Sequence, residues 1–239
     1  MVKCPKLTPR LMLAAKMIEK DFSHKIKILA DVGTDHAKLP IYMVAKSCLA
    51  RAYASDLRPG PLMKAEENVS FYLGDRASDI ELILGDGTEN IPHDYNYLSI
   101  MGMGGDMISE IIEKTNAADN TVFILSPMTN AEKLRKYLYD SGFVILEEDL
   151  AKEDRKIYTV IKACKGESPI ESIKRDELEI YFSKALIRGG SPYLKEYVDG
   201  YILKAEKAIN GRLLSGRVFH DIEQFKLLRD KMKELEKKL

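Results

Sequence analysis

The feature that most constrains the fold of this chain is the alternation of short apolar runs with segments of helical periodicity between residues 26 and 164. Runs rich in Ile, Leu, Val and Tyr that alternate with helix-like segments are typical of βαβ units, and they predict a mostly parallel sheet. The runs cover residues 25–32, 50–56, 79–86, 95–102, 121–127, 142–150 and 155–163. We therefore predict an α/β domain with seven strands.

Helices are predicted before the first strand and between most of the others, with proline or a capping residue near their ends. They cover Pro9 to about Lys20, Pro40–Lys46, Pro59–Leu73, Asp106–Thr115 and Asn130–Ser141, the last opening after Thr129 and closing at Gly142. No helix separates the final two runs, so residues 146–160 predict a hairpin that places one antiparallel strand on the sheet. A dinucleotide-binding domain normally continues with parallel strands, and the hairpin therefore favours the Rossmann-like sheet of class I methyltransferases.

The C-terminal part of the chain is predicted to be helical. After Gly166 the sequence is rich in charged residues, with breaks at 189–192 and near 214–216 that are followed by two long helices. Apolar residues recur every three or four positions in both, which predicts an antiparallel helical hairpin packed within the chain. The two stripes are Ile202, Ala205, Ile209 and Leu213, and Ile222, Phe225, Leu228, Met232, Leu235 and Leu239. We divide the chain into a domain at 1–165 and a small all-α, coiled-coil-like domain at 166–239.

Composition excludes several other classes of protein. The chain has 45% hydrophobic residues and no formal net charge, which is ordinary for a globular protein. No apolar run approaches the roughly 20 residues needed to cross a bilayer, and the N-terminus lacks a signal sequence, so we expect a cytoplasmic location without membrane association. Three separated cysteines and four scattered histidines predict no metal site. Residues 161–239 carry 17 basic and 13 acidic side chains, a weak indication of nucleic-acid binding.

Acidic residues and glycines follow successive strands of the predicted sheet. In open α/β sheets the ligand lies beyond the carboxyl ends of the strands, so these positions predict the binding site. Gly33 permits a tight turn and a close approach of the backbone to a ligand. Asp56, after the second strand, is placed to accept hydrogen bonds from ribose hydroxyls, and Asp86, after the third, is placed for the exocyclic amine of adenine. The pattern suits a cofactor that contains adenosine.

The loop after the first strand discriminates between such cofactors. A pyrophosphate needs a G-x-G-x-x-G turn, whereas this loop has one glycine with Asp31 and Asp35 on either side. S-adenosylmethionine carries a sulfonium and an amino group, which carboxylates attract, so a methyltransferase is favoured over a dehydrogenase. Two interpretations of His36 stay open, one in which it orients the cofactor or a base and one in which its ring caps the next helix. Met101 and Met103 are interpreted as apolar packing under the cofactor.

At this level of detail the chain resembles the bacterial tRNA (adenine-N1)-methyltransferases of the TrmK type. The resemblance rests on DVGTDHAKLPIYMV, ASDLRPGPLMKAEEN, LGDGTE, MGMGGDMI, LRKYLYDSGFVILEEDL and EDRKIYTVIK, which follow one another in the order of that family. It covers essentially the whole chain, and the Asp-His-Ala…Leu-Pro and Gly-Met-Gly-Gly motifs are far more specific than general methyltransferase patterns. The resemblance implies methylation of N1 of adenine 22 in tRNA, with S-adenosylmethionine as methyl donor and tRNA as partner.

The resemblance also implies positions for the site residues. Taken with the strand-end pattern, the expected cofactor-binding set is Asp31, Gly33, Thr34, Asp35, His36, Ser55, Asp56, Asp86, Gly87, Met101 and Gly102. The expected set at the target base and in catalysis is Arg10, Asp35, His36, Gly104, Gly105, Pro127 and Tyr158. The chain departs from the family pattern at Ser126, where Gln is usual, and at Met101, where the family usually has Ala before the glycine.

Methylation of a ring nitrogen needs alignment of donor and acceptor and no activated nucleophile. A flipped adenine could stack on Tyr158, and Asp35 is a candidate for stabilising the positive charge that develops on the base. The expected contacts with the tRNA backbone are Lys195, Lys204, Lys207, Arg212 and Arg217. Two alternatives stay open: a methyltransferase with another substrate, such as a small molecule, and a noncatalytic nucleotide-binding module. No obligate protein partner is implied.

Overall fold

The computed structural model describes residues 3–166, 176–214 and 222–239. The strands are β1 (Ile28–Val32), β2 (Arg51–Asp56), β3 (Ile80–Leu84), β4 (Tyr97–Gly104), β5 (Val122–Thr129), β6 (Phe143–Glu153) and β7 (Lys156–Lys165). The helices are α1 (Pro9–Glu19), α2 (Lys38–Ala45), α3 (Pro59–Leu73), α4 (Gly105–Lys114), α5 (Ala131–Asp140), α6 (Glu177–Tyr181), α7 (Lys184–Gly189), α8 (Leu194–Leu214) and α9 (Ile222–Glu236). A 3-10 turn, Gly74–Asp79, connects α3 to β3.

The seven strands form one sheet in the order β3-β2-β1-β4-β5-β7-β6. β7 runs antiparallel to both of its neighbours, and every other neighbouring pair is parallel. Helices α1–α3 cover one face, where their apolar side chains share a core with β1, β2 and β4, while α4 and α5 cover the other. The predicted fold class, including the single antiparallel strand, is confirmed. This arrangement brings the ends of β1, β2, β3 and β4 to one edge of the sheet.

Two predicted helix starts are wrong for local reasons. The second helix starts at Lys38, two residues before Pro40, because proline is tolerated within a first helical turn whose N–H groups have no partner inside the helix. The fifth helix begins at Ala131 after Asn130, which has a left-handed backbone (φ 57°) and makes no side-chain capping bond. The Asn130 amide instead donates to the Asp106 carboxylate on α4, so the predicted opening after Thr129 is replaced by a contact between two helix starts.

The predicted helical hairpin is present as α8 packed antiparallel on α9. Lys195, near the start of α8, pairs with Glu236 at the end of α9, and Lys233 pairs with Glu206. Leu228 and Met232 are buried together with Leu150 of β6 in a third apolar cluster. The following predicted stripe residues are buried on α8: Ile202, Ala205 and Ile209. Leu213 and Leu239 are instead largely exposed.

The domain boundary at residue 165/166 stays a prediction. The sequence break expected near 214–216 and the expected tRNA contact Arg217 lie mostly or wholly outside the described residues. No helix in the described ranges is both long and apolar enough to span a bilayer. Within the same ranges, no three His, Cys, Asp or Glu side chains lie close enough together to hold a metal ion.

Candidate active site

The loop after β1 is built around the buried carboxyl group of Asp31. One Asp31 oxygen accepts a hydrogen bond from the Thr34 hydroxyl at 2.6 Å, and the other accepts from the hydroxyl of Ser99 on β4. The backbone N–H groups of Gly33 and Thr34 both donate to the carbonyl of Ser55 at the end of β2, at 2.9 and 3.0 Å. Asp31, Gly33, Thr34 and Ser55, which were predicted as separate strand-end residues, therefore form one connected unit.

Burial raises the pKa of Asp31 to about 6, although the hydrogen bonds from Ser99 and Thr34 act in the opposite direction. A carboxylate in a site with little water is costly unless a cation or further donors compensate it. The strong perturbation of a buried acid beside a cleft is typical of functional sites. Asp31 is therefore suited to pairing with a cationic ligand group.

A cleft of about 860 Å³ lies next to this loop, within the size range of cofactor sites. Five of the predicted cofactor residues line it: Gly33, Ser55, Asp56, Asp86 and Gly87. The hydroxyl of Ser55 donates to the carbonyl of Gly87 at 3.1 Å, which ties the end of β2 to the loop after β3. The two acids expected at the ribose and at the adenine thus share one cavity.

Asp56 is held in place by the chain that follows it. The backbone N–H of Arg58 donates to Asp56 Oδ1 at 2.9 Å, and the Arg58 guanidinium lies 3.6 Å from the same oxygen. The Asp56 side chain is only 8% exposed, whereas that of Arg58 is 76% exposed. Within the described residues, the second carboxylate oxygen of Asp56 accepts no hydrogen bond, so it is suited to accept one from a ligand hydroxyl.

Sequence reasoning missed the wall of the cleft that α4 supplies. Met107, Glu110, Ile111 and Lys114 line it, together with Met103, whose expected place under the cofactor is consistent with this position. The four α4 residues recur at helical spacing on one face, and this periodicity is the signal that could have identified them. Leu57, Arg58, Gly85, Thr88 and Glu89 also line the cleft and were not predicted.

Gly33 is required where it lies. Its backbone has φ +69°, and a Cβ atom built there would lie 2.2 Å from the terminal methyl of Met103. Gly102 is exposed and has φ +81°, so the irregular end of β4 also uses a glycine for a left-handed backbone conformation. Met101 does not line the cleft but packs against the core beneath α1–α3. Its expected contact with the cofactor is therefore not supported by its position.

Residues 35–37 form a strained turn beside the cleft. Asp35, His36 and Ala37 all have positive φ values, which is unfavourable for residues with a Cβ atom. The amide of Asn68 on α3 donates to the His36 carbonyl at 3.0 Å and holds the turn. His36 Nε2 lies 3.2 Å from Asp35 Oδ1, and the Asp35 side chain is 78% exposed. Neither side chain lines the cleft.

The interpretation of His36 as a helix cap is wrong. Ala37 is the residue that precedes α2, and no side chain makes a capping hydrogen bond there. The Nδ1 atom of His36 is buried without a hydrogen-bond partner within the described residues. The expected role of His36 beside the cofactor or a base stays a prediction.

Four of the residues expected around the target base meet at the same edge of the sheet. Met103 pairs with Pro127, and Gly104 pairs with Thr129, so the ends of β4 and β5 lie side by side. The Ser126 hydroxyl donates to the carbonyl of Thr159 at 2.9 Å, which brings the start of β7 to this edge. Arg10, Gly104, Pro127 and Tyr158 are thereby brought into one region.

Arg10 and Tyr158 are in direct contact. The guanidinium carbon of Arg10 lies 4.2 Å from the centre of the Tyr158 ring. Gly105 has a different position, since it is buried and a Cβ atom built on it would lie 2.3 Å from the carbonyl oxygen of Asn130. Its position explains the glycine by close packing of two helix starts and does not require a contact with the base.

The residues of the cleft fit S-adenosylmethionine. Asp56 and Asp86, which line the cleft, suit the ribose and the adenine. Asp31 does not line the cleft, but its buried carboxyl group lies in the adjoining loop and suits the amino group of the methionine part. The terminal methyl of Met103 lies where a Cβ atom at residue 33 would be, so it packs directly on the bare backbone of Gly33 at the wall of the cleft. The loop lacks the G-x-G-x-x-G pattern that a pyrophosphate requires.

Comparison with known proteins identifies the family. The family model described as TrmK, tRNA (adenine(22)-N(1))-methyltransferase, matches residues 29–237. The tRNA (adenine(22)-N(1))-methyltransferase of Bacillus subtilis (strain 168) is 32% identical over 165 residues, which span 68% of this chain and 66% of that protein. The aligned region is thus just under two thirds of the length of that relative.

Solved structures match over nearly the whole chain. TrmK of M. capricolum, in complex with S-adenosyl-homocysteine, has a TM-score of 0.77 and 27% identity, and the match covers 97% of this chain and 98% of that one. A Streptococcus pneumoniae protein in complex with S-adenosyl-L-methionine has a TM-score of 0.75 and 25% identity, with 95% and 99% covered. With its fold, its cleft and the family match over residues 29–237, this chain belongs to the tRNA (adenine(22)-N(1))-methyltransferase family.

Proposed function

We propose that this protein transfers a methyl group from S-adenosylmethionine to N1 of adenine 22 in tRNA. The observation that carries the proposal is the position of two sites at one edge of the sheet. The acid-lined cleft lies at the ends of β1–β3, and the contact between Arg10 and Tyr158 lies beyond the ends of β4 and β5. A methyl donor in the cleft and a flipped base beside Tyr158 could therefore meet over the end of β4. Because tRNA is the proposed substrate, we also propose that the protein acts in the cytoplasm.

The roles of the chain's residues follow from this arrangement. When bound, S-adenosylmethionine supplies an electrophilic methyl group, and the lone pair of adenine N1 needs no activation by a base. Asp56 and Asp86 hold the cofactor in the cleft, and Asp31, in the loop beside the cleft, pairs with its amino group. Tyr158 stacks on the target base, and Gly104 and Pro127 leave room for it. The expected contacts of the tRNA backbone with the helical hairpin remain part of the proposal.

The deciding experiment measures transfer of labelled methyl groups to unmodified tRNA, followed by nucleoside analysis. We expect N1-methyladenosine, and we expect it to disappear when adenine 22 is replaced by guanine. Transfer to a small molecule but not to tRNA would favour the first alternative, and cofactor binding without any transfer would favour the noncatalytic module. Either result contradicts the proposed function.

Asp35→Asn is expected to lower kcat by about tenfold while leaving the affinity for cofactor nearly unchanged, because its exposed carboxylate is proposed to stabilise charge that develops only during transfer. Single-turnover methylation of tRNA measures this effect. The control is Asp75→Asn, which changes an exposed acid in the 3-10 turn between α3 and β3, outside the loop that follows β1. Full turnover by Asp35→Asn would remove the proposed role of Asp35.

The affinity for cofactor is expected to depend on pH through Asp31. Burial raises the pKa of Asp31 to about 6, so the free protein holds this group mostly protonated below that pH. Pairing with the cationic amino group requires the carboxylate, and the affinity should therefore fall by about tenfold per pH unit below 6 and level off above it. Calorimetric titration with S-adenosylhomocysteine between pH 5 and 8 measures the profile. Asp31→Asn should bind weakly with a flat profile in this range, and a wild-type profile that is also flat would exclude Asp31 as the partner of the amino group.

A further inference from the structure

Glu153, at the end of β6, is joined to Arg10 by two hydrogen bonds. The backbone N–H of Arg10 donates to Glu153 Oε1 at 3.0 Å, and the Arg10 Nε donates to Oε2 at the same distance. Both side chains are 17% exposed, so the pair is largely shielded from water. The bond from Nε fixes the plane of the guanidinium as well as its position.

The charge of Glu153 is maintained in this environment. Although burial acts in the opposite direction, hydrogen bonds from the Arg10 backbone and the Thr8 side chain, together with the charge of Arg10, lower the pKa of Glu153 below its usual value. A carboxylate and a guanidinium therefore face each other near neutral pH. Their charges cancel beside the ring of Tyr158.

The position of Arg10 determines how a base can use Tyr158. The guanidinium lies over one face of the ring, 4.2 Å from its centre, so a base can stack only on the opposite face. Methylation at N1 makes the adenine cationic, and an uncompensated guanidinium nearby would oppose that change. The Glu153 carboxylate reduces this repulsion and prevents the Arg10 side chain from turning into the space of the base.

We propose that Glu153 is a positioning residue for methyl transfer, which acts by holding Arg10 against one face of Tyr158 so that the other face receives the target adenine. This inference rests on the proposed function, since it assigns Tyr158 to the tRNA base. It adds a residue that the sequence analysis did not single out. The partner of Glu153 at the start of α1 is 143 residues away along the chain, and only the tertiary structure brings the two together.

Glu153→Gln tests the proposal with little change in shape. We expect kcat/KM for tRNA to fall roughly ten- to hundredfold, as for the loss of a charge-assisted hydrogen bond, with the Kd for S-adenosylhomocysteine unchanged. The matched control is Glu67→Gln, which removes the exposed carboxylate partner of Lys64 on α3 and should change kcat/KM less than about twofold. An unchanged kcat/KM in Glu153→Gln, or an equal loss of cofactor affinity, would overturn the proposal.

The same substitution in an Arg10→Ala background separates positioning from a purely structural role. The backbone N–H of residue 10 is still present to donate to residue 153 in that background, so a purely structural link between α1 and β6 would still be weakened by Glu153→Gln. If Glu153 acts through the guanidinium, its replacement has no further effect on kcat/KM there. If Glu153→Gln lowered kcat/KM in the Arg10→Ala background by as much as it does in the wild-type protein, the inference would be contradicted. If the wild-type protein forms no N1-methyladenosine, the proposed function fails and this inference with it, whereas an active wild type with an unaffected Glu153→Gln variant contradicts only the inference.

Discussion

Glu148→Gln is expected to lower the free energy of unfolding by about 3–5 kcal/mol, the cost of leaving one partner of a buried ion pair uncompensated. Glu148 of β6 and Arg135 of α5 have no exposed side-chain surface, and Arg135 Nη2 lies 2.6 Å from Glu148 Oε1. Typical domains are stable by only about 5–15 kcal/mol, so this loss is large. Urea denaturation followed by circular dichroism measures it.

The same pair joins the sheet to the C-terminal helices, which is why we expect a global effect. Arg135 also donates to the carbonyl of Ile180 on α6 and to the hydroxyl of Tyr197 on α8. Glu148 accepts hydrogen bonds from Ser183, which caps α7, and from Thr159 of β7. The glutamine variant would leave the Arg135 charge buried among groups that cannot neutralise it.

The control for this prediction is Asp140→Asn, the same acid-to-amide change in the exposed Lys136–Asp140 pair of α5. Exposed pairs of this kind contribute little, so its free energy of unfolding should stay within about 0.5 kcal/mol of the wild-type value. If Glu148→Gln cost less than about 1 kcal/mol, the network would have no major role in stability.

Gly105→Ala is expected to destabilise the protein by about 3 kcal/mol, because its Cβ atom would overlap a backbone carbonyl that no side-chain rotation can move. That carbonyl belongs to Asn130, 2.3 Å from the built Cβ position, and the carbonyl of Thr129 is 3.2 Å away. The starts of α4 and α5 would have to separate, which would also displace the end of β4 beside the cleft. Thermal and urea denaturation measure the loss of stability.

Gly200→Ala is the matched control, because in the described part of the chain no atom outside the α8 backbone lies within 4 Å of a Cβ atom built at Gly200. Alanine is preferred over glycine inside a helix, so this variant should be more stable by roughly 0.5–1 kcal/mol. If both substitutions changed the free energy of unfolding equally, close packing would not explain why residue 105 is a glycine.

The strand pattern and the hairpin were predictable because they are local. Seven apolar runs and one short hairpin connection determine the number of strands and the single reversal of direction, and the structure confirms both. Helix starts were less predictable, as Pro40 and Asn130 show, because contacts with other elements decide where a helical turn begins. On α9, the structure confirms the predicted apolar stripe at Leu228 and Met232, which are buried. Leu213 and Leu239, at the ends of the two predicted stripes, are instead largely exposed.

The candidate site, like the fold, was predicted only in part. Gly33, Asp56 and Asp86 were predicted because the carboxyl ends of parallel strands must meet, and they line one cleft. Met101 was expected there as well, but it packs on the other side of β4 from Met103, since the neighbouring glycine at 102 changes the direction of the chain. The wall that α4 supplies was not predicted. Its residues recur at helical spacing, but this spacing alone does not show whether that face of the helix lines a cleft or faces solvent.

By itself, the sequence determined the α/β class, the acids and glycines at the strand ends that suit a cofactor containing adenosine, and the family. Each of these depends on residues close together along the chain. Tertiary structure alone decided which charges became buried and which side chains from distant elements came into contact. Asp31 has its raised pKa because the packed core buries it, and Glu153 meets Arg10 across 143 residues of sequence. Burial and pairing of charges depend on the packing of elements, and the spacing of residues along a chain does not specify that packing.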